Sequence, residues 1–208
     1  LAAESTPERL AVNALVPQPW KNRAGLTREI AIGPRGAGNA DFDWRISLAE
    51  VTGDAPFSAF TGIDRCIMLL RGAGMRLASV DGTVDHRLDQ AFAPFHFSGD
   101  LALNATLFNG GCSDFNVMTR RGAWRAEVSM VRAGCELADA DVTLLLGVAG
   151  RWQIDAAATD HDAAWCIEPD AALLWRAPRG TLWATPAATP RRSQDQALLQ
   201  VRLCQDRR

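Results

Sequence analysis

Apolar and polar residues alternate with a period of two through much of the chain. Residues 27–32 set Arg28, Ile30 and Ile32 against Thr27, Glu29 and Ala31, and residues 43–51 set Trp44, Ile46 and Leu48 against Arg45, Ser47 and Ala49. Successive side chains of a β-strand point to opposite faces, so this pattern predicts half-buried strands. A short apolar run at 66–70 ends at Gly72-Ala73-Gly74; residues 75–80 then meet Asp81-Gly82, a hairpin signal. Further strands are predicted around 94–97, 101–107, 115–119, 124–131, 142–148, 151–156, 173–175, 182–184 and 199–203. Two segments read as helical: 58–64, a turn at most, and 169–174. Residues 186–192 read as a loop. Many short strands separated by Gly, Pro and Asn predict an all-β sandwich or barrel. The rhythm restarts after Gly110-Gly111, which suggests two similar β units.

The 208 residues are 48% hydrophobic and 22% charged, enough to bury a core and unlike a disordered chain. A formal net charge of −2 gives no basic excess, so neither nucleic acid nor an anionic membrane surface is expected as a partner. Lys21 is the single lysine beside 21 arginines, and tyrosine is absent. Cys66, Cys112, Cys135, Cys166 and Cys204 are scattered, odd in number and without a CxxC pair, the pattern of free thiols in a reducing compartment. Residues 1–9 lack the apolar stretch of a signal peptide, and no run of 18 apolar residues occurs. The expected location is cytoplasmic.

Metal chemistry finds little support. His86, His96 and His161 have no ligand spacing to one another. Asp160-His161-Asp162 would alternate faces on a strand and reads as a turn-capping loop. There is no GxSxG, and Ser47 and Ser58 read as ordinary hydrogen-bonding groups. Residues 33–38 are glycine-rich without a following GK[ST], so they read as a loop and not a phosphate cradle. What remains is a polar group on predicted strands: Thr27, Arg28, Arg45, Ser47 and Arg65. If the Trp44 face is the core, Arg45 is solvated. If the Arg45–Ser47 face lines an interior, a guanidinium beside a hydroxyl suits a carboxylate. Asn116 and Met118, on one face of their strand, offer an amide and a soft apolar contact to such a pocket.

The residues also resemble a known family, HutD/Ves. The resemblance lies in ordered blocks: Pro19-Trp20-Lys21-Asn22 with Gly25 and Thr27-Arg28-Glu29-Ile30; the run Asp43-Trp44-Arg45-Ile46-Ser47-Leu48-Ala49-Glu50-Val51; Pro56-Phe57-Ser58, Phe60 and Gly62-Ile63-Asp64-Arg65; Pro94-Phe95, Phe97 and Gly99-Asp100; and the run from Asp114 to Gly122. It covers about residues 17–122. One departure is Arg23-Ala24, where the family has glycines that would let the backbone approach a ligand.

The resemblance implies a bicupin, RmlC-like jelly rolls forming two β-barrel units in one chain, here expected at 10–112 and 113–205. It implies a metal-free protein, without cofactor or assigned catalytic residue, that binds a small carboxylate of the formylglutamate or urocanate class. Its role would be regulatory, in amino-acid (histidine) catabolism; a Ves-like stress-related protein is the other family type. Lys21, Thr27, Arg28, Arg45, Ser47, Arg65, Asn116 and Met118 are the candidate ligand-binding residues. The alternatives are a metal-independent isomerase or hydrolase using Glu29, Glu50 or Asp114 as acid or base, and an interaction module without ligand. A homodimer is compatible with all of these. Elemental analysis of the purified protein is expected to find no stoichiometric zinc, iron, manganese or nickel. About one metal per chain, lost together with function in a chelator, would contradict the metal-free expectation.

Overall fold

The structure, a computed structural model, describes residues 6–38, 40–156, 164–176, 180–187 and 196–206. Its elements are strands, apart from a 3₁₀ turn at Val12–Ala14. In chain order they are β1 (Glu8–Ala11), β2 (Gln18–Pro19), β3 (Gly25–Gly33), β4 (Trp44–Val51), β5 (Ala55–Phe57), β6 (Ile63–Arg71), β7 (Met75–Ser79), β8 (Asp85–Leu88), β9 (Pro94–Ser98), β10 (Leu103–Leu107) and β11 (Cys112–Arg120). There follow β12 (Trp124–Val131), β13 (Cys135–Leu137), β14 (Val142–Ala149), β15 (Trp152–Ala156), β16 (Ala164–Ile167), β17 (Ala171–Arg176), β18 (Leu182–Pro186) and β19 (Ala197–Gln205).

The chain divides into two compact units. The first holds Leu15–Ala126 with Asp206–Arg208, and the second holds Glu127–Gln205 with Leu1–Ala14. The expected division at 112/113 would detach β11 from β4 and β6, with which it pairs along its length. Nor do the described strands close into barrels. In the first unit a six-stranded sheet, β2-β3-β4-β11-β6-β9, accompanies a four-stranded sheet, β5-β10-β7-β8. The second unit has β1-β17-β14-β19-β12 and β13-β18-β15-β16.

Each unit has its own core. In the first, Val51, Ile67, Leu69, Cys112 and Phe97 of the larger sheet meet Phe57, Met75, Leu77, Leu88, Leu103 and Ala105 of the smaller. Trp20 stands edge-on to Phe57, ring centroids 5.8 Å apart. In the second, Trp152, Ile154, Trp165, Leu173, Trp175 and Leu198 form the centre, with Trp165 edge-on to Trp175 at 5.5 Å. Aromatic pairs favour this edge-to-face arrangement.

Three expectations change. The predicted helix at 169–174 is instead β17, hydrogen-bonded between β1 and β14. Its run Ala172-Leu173-Leu174-Trp175 is buried on both faces, so it carries no alternation to mark it as a strand. In β3 the register shifts between Glu29 and Ala31, so Ile32 opposes Arg45 and shares the face of Thr27 and Glu29, not that of Arg28. Finally, β1, β2, β5, β13 and β16 were not anticipated; each has four residues or fewer, too short to show a period.

The turn after Trp20 tests a local consequence. Arg23 stands at φ 60°, the left-handed region, with its N–H donated to the Trp20 carbonyl at 3.0 Å. Arg23, one of the two residues noted above as a departure from the resembled pattern, therefore stands where an L side chain is strained. That conformation costs a non-glycine residue about 1–2 kcal/mol, of which a glycine forfeits about 0.4–1 kcal/mol through its freer unfolded chain. Arg23→Gly is expected to raise the unfolding free energy by about 0.5–1 kcal/mol in urea titration. An unchanged or lower midpoint would contradict the strain.

Candidate functional site

The site follows from strand register. β11 lies between β4 and β6, and Met118 opposes both Arg45 and Arg65. On the outer strands Ile32 faces Arg45 and Phe97 faces Arg65. These five residues form one row across the sheet. Two residues along, Glu29, Ser47, Asn116, Ile67 and Phe95 form the next row; Thr27, Ala49, Asp114 and Leu69 form the third. All three rows lie on the face that carries Val51, Ile67 and Leu69, which is the interior of the first unit. With strands about 4.8 Å apart, the Arg45 and Arg65 backbones stand about 10 Å apart.

Polar residues therefore occupy one end of a sandwich interior. Arg45, Ser47, Arg65, Asp114 and Asn116 are all buried, Asp114 completely. Apolar residues close the site on both sides: the main core at one end, and Phe42, Ile63, Met118, Ile32 and Phe60 at the other. Arg45 donates from Nε to Glu29 Oε2 at 2.8 Å. Arg65 donates from Nη1 to the Ser58 carbonyl at 3.3 Å, and its guanidinium lies 5.0–5.7 Å from the centroids of Phe57, Phe60 and Phe97. Thr27 accepts a hydrogen bond from Trp20 Nε1 at 2.7 Å.

Among the described residues, Arg65 Nε, Asn116 Oδ1 and both Asp114 carboxylate oxygens are buried without a hydrogen-bond partner. Buried polar atoms are normally satisfied, so four orphans on one face mark a site prepared for something further. Burial dominates the charge states. It lowers the Arg65 pKa to about 10, with Asp114 opposing and Arg45 adding to the shift. It raises the Asp114 carboxyl to about 7, partly offset by Arg65. Burial likewise pushes the Cys66 and Cys112 thiols up, to about 12 and about 11.

The structure thus brings Thr27, Arg45, Ser47, Arg65, Asn116 and Met118 onto one interior face. It does not bring Arg28 there: Arg28 lies on the opposite face and pairs with Glu50. Lys21 sits exposed in the turn after Trp20. Asp114 was anticipated only as an acid or base, because the strand was expected to begin at 115. Extending the alternation back from Asn116 would have placed it on the same face. A cavity of about 420 Å³ lies along β6 and β11, lined by Cys66, His96, Val117 and Trp124 of their other face together with Arg65 and Phe97. Among the described residues, no cluster of three His, Cys, Asp or Glu side chains is placed to hold a metal ion. Residues 160–162, read above as a capping loop, lie outside the described residues. No described helix is long and apolar enough to cross a membrane.

The chain is similar to known proteins, in sequence or in fold. Protein Ves of Citrobacter koseri is 37% identical over 167 residues, which cover 75% of this chain and 85% of that protein. A conserved protein of unknown function from Pseudomonas aeruginosa PAO1 has a TM-score of 0.83 at 29% identity, over 95% of this chain and 98% of the other. HutD from Pseudomonas fluorescens SBW25, solved in a formate condition, has a TM-score of 0.77 at 25% identity, over 96% and 98%. A cupin 2 conserved barrel domain protein from Leptotrichia buccalis, at 9% identity and a TM-score of 0.57, shares the fold alone. A model of the HutD family matches residues 12–188, and the chain belongs to that family, with an all-β, cupin-like fold.

Proposed function

We propose that the chain binds a small carboxylate, without metal, on the interior face of its first unit, and serves as a cytoplasmic regulatory protein of amino-acid catabolism. The observation that carries this reading is the pair of buried guanidinium groups, Arg45 and Arg65, in one row, with the Arg65 Nε donor unpartnered. Guanidinium matches a carboxylate in shape and charge, and in a desolvated setting the pairing is strong. Ser47 adds a hydroxyl and Met118 an apolar contact in the adjoining positions. Glu29, with a side chain about a third exposed, stands where the interior opens to water. The family resemblance supplies the ligand class, formylglutamate or urocanate, and the setting of histidine degradation. The two compact units of paired sheets are read as the two halves of a bicupin.

One observation favours a second reading, a metal-independent isomerase or hydrolase. Of the three acids considered, Glu29 is held by Arg45 and Glu50 by Arg28, whereas Asp114 is free and has its pKa near neutrality. That is the property of a general acid or base. Incubation of formylglutamate and urocanate with the protein, followed by proton NMR, separates binding from turnover: a binder leaves both unchanged.

Calorimetric titration of formylglutamate and urocanate tests the binding reading. Arg65→Met and Arg45→Met keep bulk and remove donors; each is expected to weaken binding by about 2–5 kcal/mol if the guanidinium meets the ligand in a desolvated site. A change below about 0.5 kcal/mol would mean the group is spectator surface. Wild-type protein that binds neither compound would remove the ligand class.

A further inference from the structure

We infer that the site takes up a proton together with its ligand: Asp114 becomes the neutral acid when an anionic carboxylate pairs with Arg65, an inference that rests on the carboxylate-binding reading. The geometry is unusual for a carboxylate. Asp114 is fully buried in the middle of the central strand β11, and neither oxygen accepts a hydrogen bond from the described residues. The row that holds it contributes only Thr27, Ala49 and Leu69. The positive charge it feels is that of Arg65.

The neighbouring elements offer no second counter-charge. On β4, Arg45 is engaged by Glu29 of β3. On β11 itself, Cys112 is a thiol whose ionisation lies near 11, and burial and Asp114 together keep it neutral. From β9 come Phe95 and Phe97. The smaller sheet contributes Phe57, Met75, Leu77, Leu88, Leu103 and Ala105, together with His86 of β8, which stacks on Phe95 at the edge. The interior thus holds two guanidiniums and two acids, and Glu29 already has one of the guanidiniums.

An incoming carboxylate adds a third anion to this set. Arg65 then faces two carboxylates with one positive charge, and two buried like charges sharing one partner cannot both stay ionised. The ligand carboxyl is an ordinary one that ionises at about pH 4, whereas burial makes Asp114 a weaker acid that ionises only near neutrality. The proton therefore goes to Asp114, whose O–H can then donate to the ligand or to Asn116 Oδ1, an orphan acceptor two residues along the same face. Below pH 7 the acid is neutral before binding and affinity is flat. Above pH 7 the free protein must gain a proton on binding, and affinity falls by about tenfold per pH unit.

Formylglutamate is the probe, because none of its groups titrates between pH 6 and 9. Its dissociation constant is measured across that range, and its heat of binding at pH 8 is compared in phosphate and Tris. The expected result for the wild type is weakening toward about tenfold per unit above pH 7, with uptake of about one proton per ligand. Asp114→Asn is expected to flatten the profile and abolish the uptake. Wild-type binding that is equally tight from pH 6 to 9 with no proton exchange would overturn the coupling while leaving the binding reading intact. So would the same uptake persisting in Asp114→Asn. No binding at any pH would overturn both. The comparison of buffers uses the wild type alone, so an absence of uptake there overturns the coupling even if the variant fails to fold.

Discussion

Arg65 lies inside a β sandwich, 5% exposed, with three phenylalanine rings around it and the Ser58 carbonyl accepting from its Nη1. Removing such an ion from water costs several kcal/mol even after relaxation. Each ring returns about 0.5–2 kcal/mol, and the carbonyl adds one charge-assisted bond. The balance is met by charge, and the negative charge that acts on Arg65 is Asp114, itself penalised by the same desolvation. The two ions sustain each other imperfectly. A pair placed this way is a poor source of stability, and Arg65 Nε still lacks an acceptor, which a ligand carboxylate can supply.

The register of three strands makes this arrangement possible. β11 is central, so its even-numbered residues from Cys112 to Met118 share the interior with alternate residues of β4 and β6. The same face is apolar at Val51, Ile67 and Leu69 and polar at Arg45, Ser47 and Asn116. One sheet thereby builds a core and a site without changing its fold. The bulge in β3 contributes too: it turns Ile32 toward Arg45 beyond the point where Glu29 pairs with that arginine.

Much of this was legible in the chain. Period-two alternation placed Arg45 and Ser47 together and located the longer strands well. It left open which face was the interior, because β4 is largely buried on both: Trp44 and Ile46 are as hidden as Arg45 and Ser47. Arg28 was grouped with the site by sequence proximity, yet a strand sends it to the face opposite Thr27, where Glu50 meets it. The two readings of β17, a strand at 173–175 and a helix at 169–174, conflict because a run buried on both sides has no period to detect; the strand is the one that forms. Asp114 escaped the binding set because strand ends are poorly marked in sequence, although its parity with Asn116 was there to be used. The aromatic cage of Arg65 comes from β5, β9 and the loop holding Phe60, a convergence that only the fold creates.

The orphaned groups lie on the interior face of this unit, and a cavity lies on the opposite face of β6 and β11. A crystal structure with formylglutamate bound distinguishes them directly. If the buried guanidiniums are the receptor, a ligand carboxylate lies within hydrogen-bond distance of Arg65 on the interior face, with Asn116 and Asp114 beside it. A ligand seated instead against His96 and Trp124, with Arg65 and Asp114 unchanged, would contradict that.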